Sequence, residues 1–358
     1  MNEKKHVFVA MSGGVDSAVC AARLLEQGYR VTGIHMSVWL DPKWREATQD
    51  LPASVESAET TANSLGIPFF NLDVQDAFYE KVVQTFIQDY LEGLTPNPCL
   101  FCNPNVKWGI LQAYALAHGG DYFATGHYAR LDRQADGTVL LLRGVDRTKD
   151  QAYVLSMLSQ EQLQKTLLPL GKLTKNQVRK QARELGLKAA DRQDSQDLCF
   201  LGNGHYKDFL DRFAPETSEP GEIVDSDGKV LGEHGGLAFY TIGQRKGIRI
   251  AAAEPYYVIA KNKARNQLVV GFAEQAGERT LQAGQANWIA GEPPKLGKSY
   301  EVMIRYRARL RPVRLLSIGK KDFRLEFRES VRGITPGQVA VLFDGETCLG
   351  GGVIFAAA

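Results

Sequence analysis

Apolar and polar positions follow two periods along the first 130 residues. Val7, Phe8 and Val9 form a short β-favouring run, and the segment from Ser17 to Gly28 carries helix formers before a glycine stop. Arg30 to Met36 predicts a second strand, Ser54 to Gly66 a helix and the IPFFNLDV run (67–74) a third strand. A long amphipathic helix is predicted over 76–93, another over 105–119, and a further strand from Asp121 to Ala129. Strands alternating with helices predict an α/β domain with a doubly wound, mainly parallel sheet.

After Cys199 the pattern changes. Gly202 to Gly277 is rich in glycine and broken by turns such as Asp225 to Lys229, with strand-like YYVIA and QLVVG near its end. From Glu278 onward short alternating runs predict a small C-terminal β-barrel. The division expected is therefore a catalytic α/β domain at 1–205, a central domain at 206–277 and the barrel at 278–358.

Composition narrows the classes. A chain of 358 residues, 44% hydrophobic and 23% charged, reads as a soluble globular protein of two or three domains. The formal net charge is only +2, so any basic surface must be local. No stretch approaches a signal peptide or a membrane span, and the expected location is cytoplasmic. Five cysteines (Cys20, Cys99, Cys102, Cys199 and Cys348) argue against a disulfide framework and leave reactive or metal-binding roles open.

Between the first strand and helix stands AMSGGVDS: Ala10, Met11, Ser12, Gly13, Gly14, Val15, Asp16 and Ser17. A glycine-rich turn opening a helix offers free backbone N–H groups and the positive end of the helix dipole to an anion. Gly13 and Gly14 allow close approach, and Ser12 and Ser17 add hydroxyls. The string is not a Walker loop, since no GxxxxGK[ST] is present. The plain alternative is a tight turn with Ser17 as helix cap.

This SGGVDS string resembles the signature of the pyrophosphatase-loop ATP enzymes, which adenylate a carbonyl-type oxygen. The resemblance implies an adenine-nucleotide α-hydrolase-like fold, ATP as substrate with magnesium expected alongside it, and an adenine site near Met36 and Gly126. No residue constellation marks a metal ligand by itself. Five further strings are TPNPCLFCN (95–103), ATGHYARL (124–131), KDQAYVL (149–155), DSQDLCFLG (194–202) and FYTIGQRKG (239–247). Together with the loop they resemble the tRNA-specific 2-thiouridylases over essentially the whole chain. That family's pattern implies Cys199 as the persulfide-bearing residue and Cys102 as the nucleophilic or resolving one. It implies Asn97, Pro98 and Cys99 around the target base, and tRNA contacts from His127, Lys149, Asp150, Gln151, Arg305, Tyr306 and Gln338. The partners it implies are the tRNAs for Lys, Glu and Gln and a persulfide-donating sulfur-carrier protein. Leu94 and the Asp197-Leu198 pair depart from the residues familiar in relatives.

The residues also admit other readings. Cys99-x-x-Cys102 fits half a zinc site, but no second CxxC or H-x3-5-H follows. A redox CxxC usually opens a helix after a strand, whereas this one is expected in a loop punctuated by Pro96, Pro98 and Pro104. Cys20 and Cys348 read as core residues, and His127 reads equally as structural or substrate-facing. Arg305, Arg307, Arg309 and Arg311 fall at every second position, which in a strand makes one arginine face. From Glu301 to Arg332 ten Lys/Arg stand against four Asp/Glu, a local excess of six positive charges suited to phosphate contact. Two rivals remain: an adenylating ligase with a nitrogen nucleophile, which needs neither cysteine, and a non-catalytic RNA-binding or nucleotide-sensing protein.

Overall fold

The computed structural model describes residues 4–45, 53–191, 198–202 and 204–357. Its first seven strands are β1 (His6–Ala10), β2 (Arg30–Ser37), β3 (Phe69–Asp73), β4 (Tyr122–Ala124), β5 (Ala129–Arg133), β6 (Val139–Arg143) and β7 (Thr166–Leu167). A wholly parallel sheet runs β3-β2-β1-β4-β7. Strand order reverses between β1 and β4, which opens a crevice at their carboxyl ends. Both faces are covered, and residue alternation in β1 shows how. Val7 and Val9 pack with Val19, Leu24, Ala58 and Val178 from one helical layer. Phe8 packs with Phe78, Phe86, Trp108 and Leu111 from the other. A strand buried on both sides reads as an unbroken apolar run, as this one does.

The helix at 98–117 corrects the loop expected at Thr95–Asn103. Pro98 is its first residue, where a missing N–H costs nothing, and Asn97 occupies the N-cap. The CxxC therefore does open a helix. From Asn103 to Gln112 that helix widens into π geometry, and Pro104, which has no N–H to donate, lies at the junction.

The central strands β8 (Gly221–Val224), β9 (Val230–His234), β10 (Tyr257–Asn262) and β11 (Gln267–Gly271) form one sheet around Ile223, Val258, Leu268 and Val270. Next come β12 (Gly277–Trp288), β13 (Ser299–Met303), β14 (Arg311–Ile318), β15 (Asp322–Arg332), β16 (Val339–Asp344) and β17 (Thr347–Ala357). They run β12-β15-β14-β13-β16-β17, and β12 pairs with β17 to close a barrel.

Two expectations need correction here. The predicted arginine strand does not exist, because β13 stops at Met303, β14 starts at Arg311, and the chain turns between them with Arg307 at φ +63°. The division of faces survives nonetheless: Arg305, Arg307 and Arg309 are exposed while Tyr306, Ala308 and Leu310 pack against the core of the first domain. Burial of those three apolar residues on a neighbouring domain, rather than strand pleat, produces the alternation. The single strand predicted over Asp121 to Ala129 is also two, β4 and β5. The β5–β6 hairpin leaves the parallel sheet and pairs with β17, extending the barrel's sheet. Among the described residues no helix is long and apolar enough to cross a membrane.

Candidate active site

The Ala10–Ser17 loop lies at the reversal point of the sheet. Met11 N donates to Ile34 O (2.8 Å), and His35 bonds Met11 O through Nδ1 (2.7 Å). Ser57 Oγ donates to Gly13 O (2.9 Å), and Ser17 Oγ donates to Gly14 O (3.0 Å) while accepting from Ser12 N (3.2 Å). Ser17 thus braces the loop instead of capping the helix. The cap position is Gly14, and no side chain there takes the first-turn N–H groups of the Val15–Glu26 helix. Asp16, in that first turn, accepts from Tyr128 Oη (2.7 Å) and receives Lys175 Nζ on both carboxylate oxygens (2.7 Å each). Gly126, just past β4, lies against the loop so closely that a Cβ would stand 2.8 Å from the Asp16 carbonyl carbon. Met36 is half-buried at the carboxyl end of β2, beside β1. Every residue expected at the nucleotide thus gathers at one edge.

Three cysteines form a second cluster. Cys99 is exposed in the first turn of the helix at 98–117, and Cys102 is buried one turn further on. Cys199 opens a short 3-10 turn, Cys199–Leu201. The rest of its string, Asp194 to Asp197, lies outside the described residues. Phe200 anchors that turn on Phe86, Phe209 and Phe78, with ring centroids 5.2, 5.6 and 6.0 Å away. Asp41 N donates to Phe200 O (3.1 Å), and the buried Asp41 carboxylate is held by Arg212 Nη1 (2.7 Å). Cys199 has an exposed edge, yet the protein massed around its sulfur pushes the thiol up to about 12, with Cys102 and then Cys99 adding to the effect. Burial pushes Cys102 up to about 11, against the Lys107 charge and with a smaller contribution from Cys99. The three sulfurs therefore lie within electrostatic reach of one another. Cys20 and Cys348 are buried, with thiols raised by burial, and sit in the core as expected.

His127 follows Gly126 directly. Its Nδ1 lies 2.7 Å from Thr125 Oγ1 and its ring 5.6 Å from Trp108. Burial and, second, the Lys107 charge hold the imidazole well below its ordinary pKa, so it is neutral at physiological pH.

The other residues expected at RNA divide into three groups. Asn97 and Pro98 line a cleft of about 310 Å³ with Phe86, Tyr90, Leu198 and Tyr206, and the Tyr90 and Tyr206 rings stack at 5.6 Å. Gln338 borders the same cleft, but its amide donates to Thr95 O (2.7 Å). Asp150 is committed to Arg143 (2.7 Å) and to Gly144 N (2.9 Å), and Gln151 accepts from Tyr128 N (2.9 Å). These two brace the fold, and Lys149 is half-buried beside them. Arg305 and Tyr306 lie apart on the barrel turn, where the Tyr306 ring stands 6.1 Å from Tyr153. Sequence reasoning missed Tyr128 and Lys175. The Thr174/Gln177 capping box marks a helix start at Lys175 but says nothing of Asp16, which lies 159 residues away.

Comparison with known proteins matches three family models along the chain. They are described as a tRNA methyl transferase HUP domain (residues 5–203), a tRNA methyl transferase PRC-barrel domain (207–272) and an aminomethyltransferase beta-barrel domain (278–354). A tRNA-specific 2-thiouridylase of Carboxydothermus hydrogenoformans is 44% identical over 98% of this chain and 98% of its own. One from Natranaerobius thermophilus is 42% identical over 100% and 99%. The chain belongs to the tRNA-specific 2-thiouridylases. The likeness to these thiouridylases runs from end to end, so it covers the loop, Cys102, Cys199 and the barrel together. A solved 4-thiouridine synthetase–RNA complex with bound ATP aligns with 59% of this chain and 51% of its own at 16% identity and a TM-score of 0.36, too remote to bear on function.

Proposed function

We propose that this protein is an ATP-dependent tRNA sulfurtransferase, acting in the cytoplasm, that replaces the 2-oxygen of the wobble uridine by sulfur. The observation that carries the reading is the convergence of Cys102 and Cys199, 97 positions apart in sequence, in the same domain as the Ala10–Ser17 loop and the Gly126 packed against it. The division of labour follows the boundaries 1–205, 206–277 and 278–358: nucleotide and sulfur chemistry in the first, RNA contact shared with the barrel.

The uracil 2-oxygen is a poor leaving group in a urea-like carbonyl. Its attack on the ATP α-phosphate expels pyrophosphate toward the Ser12–Ser17 loop, where the positive end of the Val15–Glu26 helix, not capped by a side chain at Gly14, suits that charge. Magnesium is expected to travel on the ATP phosphates. Among the described residues no group of three or more His, Cys, Asp or Glu is placed to hold an ion, and the Asp16 carboxylate at the loop is already held by Lys175 and Tyr128. A persulfide on Cys199, loaded by a sulfur-carrier protein, attacks C2 with its terminal sulfur and AMP departs. The Cys102 thiolate then attacks the inner sulfur of Cys199. The S–S bond to the transferred sulfur breaks, its electron pair stays with the 2-thiouridine, and a Cys102–Cys199 disulfide remains for a dithiol to reduce. The cleft between Asn97 and the Tyr90–Tyr206 stack is of a size to take one planar base extruded from its stack. The tRNAs for Lys, Glu and Gln are the expected substrates.

Persulfide labelling tests this scheme. Cys199→Ser is expected to take up no label, Cys102→Ser to hold label on Cys199 without turning over, and Cys99→Ser to lose much less activity. Peptide mass spectrometry of the wild type after one turnover without reductant should show the Cys102–Cys199 disulfide. Full activity in either of the first two variants would sink the persulfide scheme and favour a nitrogen-using ligase.

A further inference from the structure

The connector between the helix Gln84–Leu91 and the helix at 98–117 forms the Asn97 side of the cleft. Gly93, at φ +75°, ends the first helix with Leu94 N donating to Asp89 O (2.8 Å), and Pro96 and Pro98 have no N–H to give. Thr95 is where this connector is held. Its N–H donates to Pro336 O (3.0 Å) and its carbonyl accepts from Gln338 Nε2 (2.7 Å), so both of its backbone groups are taken by the barrel. Gly337, between those two partners, stands at φ +91°, and a Cβ there would lie 2.9 Å from Thr95 N and 3.0 Å from Leu94 Cβ. Glycine alone combines this backbone conformation with so close an approach.

The barrel side of this contact is itself fixed. Gly337 N donates to Ile354 O (2.9 Å) and Ile354 N donates to Gln338 O (2.8 Å), which ties the segment to β17. Val339, next in the chain, accepts from Tyr153 Oη of the first domain. A few residues earlier the segment meets the central domain, where a Cβ on Gly243 would stand 2.7 Å from the Gly333 Cα. Residues 333–339 are thus where the three domains meet. We propose that Gln338 is a positioning residue: with Gly337 it clamps Thr95 to the barrel, and so fixes the Asn97 wall of the cleft and the first turns of the helix that carries Cys99 and Cys102. The family pattern implies an RNA contact for Gln338, whereas here its amide acts through Thr95 on a base that it need not touch. The inference deepens the assignment of the cleft to the target base, and its effect on thiolation rests on that assignment.

Two readouts test the clamp, and the first needs neither ATP, tRNA nor a sulfur donor. Iodoacetamide alkylation of the buried Cys102 is followed by peptide mass spectrometry at one mildly alkaline pH, with the buried Cys20 and Cys348 reporting global opening. Loss of one ordinary hydrogen bond raises local opening about two- to tenfold, so Cys102 should react faster by that factor in Gln338→Met while Cys20 and Cys348 do not. Gly337→Ala should do the same, although it removes no side chain that could touch RNA. An unchanged Cys102 rate in both variants overturns the proposal, and so does an equal acceleration at Cys20 and Cys348, which would mean general destabilisation. In the second readout, filter binding of tRNA by Gln338→Met should stay within about twofold of wild type while the thiolation rate at saturating tRNA falls. Lost affinity with that rate kept would make Gln338 an RNA contact and overturn the positioning role. Gln338→Glu, which also lacks the donor, replaces Met should that variant not fold. Faster Cys102 alkylation with affinity and saturated rate both intact would instead remove the cleft as the base site and leave Gln338 as the brace of the cysteine-bearing helix.

Discussion

Asp16 accepts hydrogen bonds from Lys175 and Tyr128, which lie 159 and 112 residues away in sequence. The Lys175 side chain is only 9% exposed and that of Asp16 33%, so the pair is partly shielded from water. Truncation of Asp16 to alanine removes the carboxylate to which the ammonium donates, and a charge-assisted bond of this kind supports a loss of about 1.5–3 kcal/mol in urea unfolding. Lys175→Met should cost less, because the more exposed carboxylate keeps Tyr128 and water. The double variant should fall short of the sum of the two singles. Strict additivity would mean that the pair contributes nothing to stability. ATP–pyrophosphate exchange should vanish in Asp16→Ala while filter binding of tRNA persists, since the arginine-bearing turn lies in another domain. At this scale the chemistry of the loop is legible in its residue types. Its partners are not, because nothing local to Lys175 encodes a position opposite Asp16.

Helices in the first domain depart from ideal geometry where the chemistry lies. Gly109, inside the π stretch, would place a Cβ 2.9 Å from the Pro104 carbonyl oxygen. Alanine normally favours a helix over glycine by about 1 kcal/mol. Here the contact is with backbone, and Gly109→Ala should instead destabilise by about 1–3 kcal/mol, as overpacking does. A raised melting temperature in that variant would mean that the helix relaxes to α geometry without cost. Periodicity announced the helix at 105–119 but not its beginning at Pro98, since three prolines near a CxxC read as loop punctuation. The same prolines are compatible with a helix when one of them is its first residue and another sits where the hydrogen-bond register changes. The arginine alternation misled in the opposite direction. A period of two can come from burial against a neighbouring domain as readily as from strand pleat.

Across the whole molecule the barrel and the first domain share structure. The β5–β6 hairpin pairs with β17, Tyr153 Oη donates to Val339 O (2.9 Å), and the first domain's core includes Val339, Val341 and Phe343. This shared packing joins the turn that bears Arg305 and Arg307 to the domain that carries Cys102 and Cys199. With tRNA bound, each lost phosphate contact lowers the slope of log affinity against log salt by about 0.7–0.9, so Arg305→Ala with Arg307→Ala should reduce it by about 1.4–1.8. An unchanged slope would assign those arginines to solvent. By itself the sequence determined the α/β periodicity, the anion-binding character of Ala10–Ser17, the barrel's many short strands and which cysteines were worth following. All of these rest on residues close together in the chain. Only the tertiary structure decided that Lys175 holds Asp16, that Asp150 and Gln151 brace the fold and that a first-domain hairpin extends the barrel's sheet. Those contacts depend on sheet order, helix register and domain packing, which bring together positions that local pattern treats as independent.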